Sequence, residues 1–362
     1  MSYKICVYAI AKNEAAFVDR FCDSAAEADY IAVLDTGSTD DTVVKLKARG
    51  VIVEREIIEP LRFDRARNCS MQLIPNDTDV CICVDLDEVL LPGWRAALEA
   101  VWTPEATTGR FTNIRSRNAD GTPGTVFLQT KLHRPGAVRW KYPVHEVMVR
   151  ADGKPNGADV SVPEMAVEHL PDRSKSRAQY LPLLELAARE EPVDARCAHY
   201  LGREYMYLGR WDDAIRELTR HLRLPTATWR EERAASKRYL SRCFAGKGDK
   251  NEAMRWAIRA VCEQPELRED WYCAERAAYE NGDWSGVRLY GEQAAAITER
   301  SGVCINEEDA WGAGVYDLLA IAYWNLGEFE KALKSGEKAA KLAPADKRIQ
   351  RNLEYYREAV ER

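Results

Sequence analysis

The sequence predicts an α/β domain with a largely parallel sheet, followed by an all-α domain of helical repeats. Three observations carry that prediction. Short apolar strands alternate with amphipathic helices through residues 4–100. Strand patterns cease beyond Arg177, and from there Leu, Gly, Tyr, aromatic and Ala positions recur around spaced glycines. The expected division is residues 1–172 and 173–362, each half long enough for a core of its own.

In chain order, the apolar run Lys4–Ile10 reads as a strand. It enters Ala11-Lys12-Asn13-Glu14, whose polar residues open a helix carrying Phe17, Val18 and Phe21 at helical spacing. A second strand, Tyr30–Leu34, ends at Asp35-Thr36-Gly37-Ser38-Thr39-Asp40. Gly37 supplies the turn there, and Ser38, Thr39 or Asp40 can cap the next helix. A third strand, Val51–Ile58, leads to a helix around Phe63–Ile74 that carries Arg67 and Asn68. The fourth strand, Val80–Val84, stops at Asp85-Leu86-Asp87-Glu88. In extended backbone Asp85 and Asp87 face one side and Leu86 turns back to the core. Two carboxylates so placed repel unless a cation lies between them. Mg²⁺ or Mn²⁺, keeping its other positions for phosphate oxygens, fits that need. Strand ends rich in polar groups along one edge are where open α/β sheets bind ligands.

Beyond Trp102, Gly109–Arg117 and Thr125–Arg134 read as a hairpin with Asp120-Gly121 at its turn. Then come Val138-Arg139-Trp140, Tyr142-Pro143-Val144-His145-Glu146 and Ala166-Val167-Glu168-His169. Glu146 is the candidate general base, an ionised carboxylate able to take a proton from an attacking group. His145 or His169 would complete the metal sphere around Asp85 and Asp87, imidazole being acceptable to Mn²⁺. His133, His199 and His221 have no supporting context and are assigned structural roles.

Residues 4–100 resemble a family 2 glycosyltransferase of the GT-A fold, on Ala11-Lys12-Asn13-Glu14, Asp35-Thr36-Gly37-Ser38-Thr39-Asp40, Ala66-Arg67-Asn68 and Asp85-Leu86-Asp87-Glu88. The resemblance implies that the first strand end, with Ala11, Asn13 and Glu14, and the Asp35–Gly37 loop receive the nucleotide. It places Arg67 and Asn68 near that nucleotide and the metal on Asp85 and Asp87. It also implies a nucleoside diphosphate sugar donor, a UDP-sugar in the first instance, and inversion at the anomeric carbon. Lys131–Arg134 through His145-Glu146 is similar to a subgroup whose catalytic domain precedes helical repeats. The chain departs from that subgroup at Leu132-His133-Arg134 and Tyr142-Pro143.

The second half reads as tetratricopeptide-like. Leu201–Ala214 and Leu319–Pro344 are the clearest copies, and Leu240–Pro265 and Trp271–Ala294 are weaker ones. Gly209, Gly248, Gly282 and Gly327 lie 39, 34 and 45 residues apart, a loose repeat. Its small residues allow close helix packing and its aromatics fill the gaps. Such arrays bind peptides or pack subunits, so a peptide or protein acceptor and a homodimer are both open. A net charge of −6 without a basic arm argues against nucleic acid. Ten scattered cysteines without a C-x-x-C pair, no membrane-length apolar run and no leader pattern predict a cytoplasmic protein with reduced thiols. A nucleotidyltransferase would want a Gly-rich loop after the first strand, and Ala9-Ile10-Ala11-Lys12 offers none. The reading from another class is an inactive transferase-like scaffold whose repeats bind a protein partner.

Overall fold

The computed structural model describes residues 2–117, 121–154, 158–172, 180–302, 305 and 307–361. It contains two compact units, one built from Met1–Ala187 and one from Ala188–Ser301 with Ile305–Arg362.

The first unit opens with β1 (Ile5–Ala11), α1 (Val18–Ser24), β2 (Tyr30–Asp35), α2 (Thr42–Ala48), β3 (Ile52–Arg55), α3 (Phe63–Ser70) and β4 (Val80–Cys83). It continues with β5 (Glu88–Leu90), α4 (Trp94–Val101), β6 (Thr108–Ile114), β7 (Val126–His133), β8 (Val138–Lys141), β9 (Val147–Arg150) and β10 (Val160–His169). Ile5, Val7 and Ala9 on one face of β1 join a core with Val18, Phe21, Trp94 and Leu98 from α1 and α4. Cys6 and Tyr8 on the other face meet Trp140 and Met148 of the small β8–β9 sheet. Both faces of β1 are therefore dry, which is why it reads as a continuous apolar run.

Eight strands form one sheet in the order β3-β2-β1-β4-β7-β6-β10-β5. Only β3, β2, β1 and β4 form the expected parallel block. β7 runs antiparallel to β4, β6 is antiparallel to β7, and β5 is antiparallel to β10, so the sheet is mixed. The reason is the connection between β6 and β7: it is too short for a crossover helix and forces a hairpin. Arg117 bridges Pro123 at the end of that hairpin, and residues 118–120 of the expected turn lie outside the described residues.

The extended alternation expected to put Asp85 and Asp87 on one side is corrected. The strand ends at Cys83, and residues 86–87 form a turn. Glu88 closes it twice: its backbone N–H donates to the Asp85 carbonyl (2.9 Å), and its carboxylate accepts the Asp85 N–H (3.0 Å). Leu86 enters the core as expected. Asp85 and Asp87 do not share one partner, because the turn aims them differently.

The second unit pairs helices: α6 (Ala195–Tyr207) with α7 (Trp211–Arg223), α8 (Arg230–Gly246) with α9 (Lys250–Glu263), α10 (Arg268–Glu280) with α11 (Trp284–Ala296), and α12 (Gly314–Asn325) with α13 (Phe329–Leu342). The helix α5 (Tyr180–Glu190) precedes them and α14 (Lys347–Val360) ends the array. Gly209, Gly248, Gly282 and Gly327 each sit in the turn inside a pair, with φ between 70° and 82°. That left-handed conformation ends the first helix of every pair at little steric cost only for glycine. The long last interval comes from residues 297–313, which include a 3₁₀ turn at Glu308–Trp311. No described helix is long and apolar enough to cross a membrane. The nine described cysteines are free thiols.

Candidate functional site at the carboxyl edge of the sheet

The parallel strands β1, β2 and β4 deliver their last residues to one edge. Asn13, just past β1, has φ 56°, a left-handed turn that asparagine tolerates better than most residues. Its N–H donates to Ser38 Oγ (2.9 Å), and its Oδ1 accepts the Thr39 N–H (2.8 Å). The Glu14 N–H donates to Thr42 Oγ1 (2.8 Å), and the carbonyl of Ala11 accepts the Thr36 N–H (2.8 Å). The two strand-end loops are thus laced together. Asp35 is fully buried, and its carboxylate accepts the Gly37 and Ser38 N–H groups (3.0–3.1 Å). In this geometry Asp35 shapes the loop and presents no open carboxylate to a ligand. Gly37, at φ 112°, makes the turn expected of it.

At the end of β4, Arg67 on α3 gathers two acidic residues that the sequence assigned to different tasks. Its Nη2 donates to Asp85 Oδ1 (2.7 Å) and its Nε to Glu146 Oε1 (2.5 Å). Its guanidinium also lies over the Trp140 ring, 5.0 Å from the centroid. Lys131 of β7 reaches both Asp85 and Glu88, each at 3.2 Å. Burial alone would lower the Arg67 pKa; Asp85, Cys83 and Glu146 outweigh it and hold the group well above its ordinary value. Burial opposes ionisation of Asp85, yet Arg67 and Lys131 keep its carboxyl far below the usual carboxylate range. Lys131 is likewise raised, its burial offset by Asp85 and Glu88. Asn68 does not join this group: its amide exchanges two hydrogen bonds with the Trp140 backbone (2.8 and 2.9 Å) and pins β8.

Asp87 is paired elsewhere. Its Oδ2 lies 3.2 Å from His169 Nε2 at the end of β10, while His169 Nδ1 is buried without a hydrogen-bond partner. An oxygen and a nitrogen at that separation match adjacent corners of a six-coordinate Mn²⁺ or Mg²⁺, roughly 3 Å apart at bonds near 2.1 Å. The residues that fit a metal here are Asp87 and His169. Asp85 is engaged by two cations, and the His145 ring meets the Tyr180 ring edge-on at 5.7 Å. His145 (φ 52°) and Tyr142 (φ 81°) hold the Tyr142–Glu146 loop in backbone conformations that cost energy in non-glycine residues.

Sequence reasoning missed Lys131 as a partner of the acidic run. Its signal was the basic run Lys131–Arg134 at the end of β7, in which Lys131, Leu132 and His133 are all buried. His133 is structural as expected: Nε2 lies 2.9 Å from the Tyr8 hydroxyl, which also accepts the Trp140 indole N–H. His199 and His221 in the second unit, assigned structural roles from the sequence, come together beside Glu232.

Comparison with known proteins bears on the second unit. Residues 268–362 match the prolyl 4-hydroxylase peptide-substrate-binding domain family. The C-terminal helices are tetratricopeptide-like repeats. Solved structures similar to the chain include a tetratricopeptide protein of Thermus thermophilus (20% identity, 51% of this chain and 90% of that one, TM-score 0.35). Another is MamA of Desulfovibrio magneticus (17%, 46% and 89%, TM-score 0.38). A third is the first tetratricopeptide domain of Spaghetti bound to an HSP90 peptide (14%, 36% and 96%, TM-score 0.32). No curated protein matches the chain.

Proposed function

We propose that this chain captures a peptide or protein segment on its helical repeats and transfers a sugar to it from a nucleoside diphosphate sugar, a UDP-sugar in the first instance. The capture half rests on the match of residues 268–362 to a peptide-substrate-binding family. The transfer half is carried by one observation, the Asp87–His169 pair at 3.2 Å. A divalent ion held there would supply positive charge to the leaving diphosphate. Glu146 takes the acceptor proton in this reading, with inversion following from the family resemblance. Its Oε1 accepts the Arg67 Nε–H, so in this reading the other carboxylate oxygen, Oε2, takes the proton.

The second reading is a scaffold without catalysis, in which the repeats bind the partner and the first unit is transferase-like only. Two facts favour it: Arg67 occupies both Asp85 and Glu146, and the comparisons touch the repeats alone. Incubating the full chain with Mn²⁺ and labelled UDP-, GDP- and dTDP-sugars separates the two. Release of free sugar or labelled acceptor, abolished by chelator, supports transfer. Inert donors throughout, with a peptide still captured, leave the scaffold.

A further inference from the structure

Three helices of the repeat unit bring together side chains that no substrate-handling role accounts for. His199 on α6 and His221 on α7 are fully buried, and Glu232 near the start of α8 is 6% exposed. One donor atom from each lies within 4.8 Å of the other two. We propose that His199, His221 and Glu232 form a binding site for a divalent transition metal, zinc being the best match, that clasps α6, α7 and α8.

The pairing of atoms supports the assignment. His199 Nδ1 lies 2.7 Å from Ser236 Oγ, which fixes the ring and leaves Nε2 facing inward. That Nε2 is buried and has no hydrogen-bond partner. A ligating histidine held through its other nitrogen has this arrangement. Both His221 nitrogens are also buried without hydrogen bonds, although Nε2 is only 3.3 Å from Glu232 Oε1. Close approach without hydrogen-bond geometry is what two corners of one coordination shell give. A four-coordinate zinc places its ligand atoms roughly 3.4 Å apart at bonds near 2.1 Å, so the 3.3 Å edge already fits. The N₂O donor set suits zinc, and a water completes four positions.

Three arginines, at 196, 203 and 238, stand near His199 and oppose a cation there. Arg238 is itself paired with Asp270 and Glu307, and Glu232 contributes a carboxylate to the ion. Enclosure this complete means that the ion enters as the helices fold or open.

Metal content of the tag-free full chain, expressed with zinc, gives the test. One zinc per chain is expected in the parent and in Asp87→Asn, whose lesion lies in the other unit, and none in His221→Gln or Glu232→Gln. Should those variants fail to fold, the parent decides alone. After chelation and refolding, zinc at a hundred times its Kd should raise the melting point of the repeat unit by about 5–10 °C, and cobalt(II) should give the visible spectrum of a four-coordinate site. Zinc retained by folded His221→Gln and Glu232→Gln overturns the proposal, as does a parent that neither holds zinc nor shifts with it.

Discussion

Arg67 stands between the two acidic groups of the candidate site and is only 5% exposed, so its removal leaves carboxylates facing each other with one cation fewer. Arg67→Met should cost roughly 3 kcal/mol, the low end for breaking a buried pair, because the Asp85 side chain is a third exposed. Chemical denaturation of parent and variant checks this. Glu146→Gln should keep donor affinity while lowering turnover by about two to four orders of magnitude, the usual worth of a general base; unchanged turnover moves the base elsewhere. His133 gives a pH signature. Burial holds its imidazole down to about 4, against an ordinary value of 6.5. Between those values the unfolded chain binds more protons than the native one, so stability falls as pH drops through the window, by about 3 kcal/mol in all. Denaturation midpoints taken at several pH values should flatten in His133→Gln, and parallel curves would contradict this account. At this scale the sequence disclosed residue types and brought His169 to Asp87 as one of two candidates, but it missed Lys131 beside Asp85, a contact whose span depends on how the sheet folds.

Elements were easier to foresee than their directions. The strands β1, β2 and β4 were legible as apolar runs closed by turn residues, because burial leaves no polar alternation to confuse them, whereas β3 at the sheet edge is mostly exposed. The strand directions of the other half, antiparallel except between β6 and β10, were hidden, since periodicity reports a strand and not its direction. In the repeats, the glycines at 209, 248, 282 and 327 were visible as punctuation, and their positive φ explains why glycine stands there. Gly202 is a different case, required for closeness. A Cβ there would lie 2.7 Å from Leu218 Cγ and 3.0 Å from the Leu218 backbone nitrogen, so α6 and α7 would have to separate. Gly202→Ala gains up to about 1 kcal/mol of helix propensity and loses about 1–3 to overpacking. A net drop of a few degrees in melting temperature is expected by calorimetry, and a stabilised variant would show that the helices yield more easily.

The whole molecule joins two units with separate cores and, in this reading, separate ligands. The expected behaviour is two calorimetric transitions, with nucleotide and Mn²⁺ raising only that of the α/β unit and zinc only that of the repeats, because a ligand stabilises the state that binds it. One shared response to both would show the units to be coupled. The central claim, that the α/β unit binds a sugar nucleotide through a metal at Asp87 and His169, is tested most directly by isothermal titration of UDP into the full chain, with and without Mn²⁺, in parent and Asp87→Asn. The account predicts binding in the parent that requires Mn²⁺ and disappears in the folded variant. Equal UDP binding by both proteins would contradict the metal site, and no binding of UDP, GDP or dTDP by the parent would contradict the transferase.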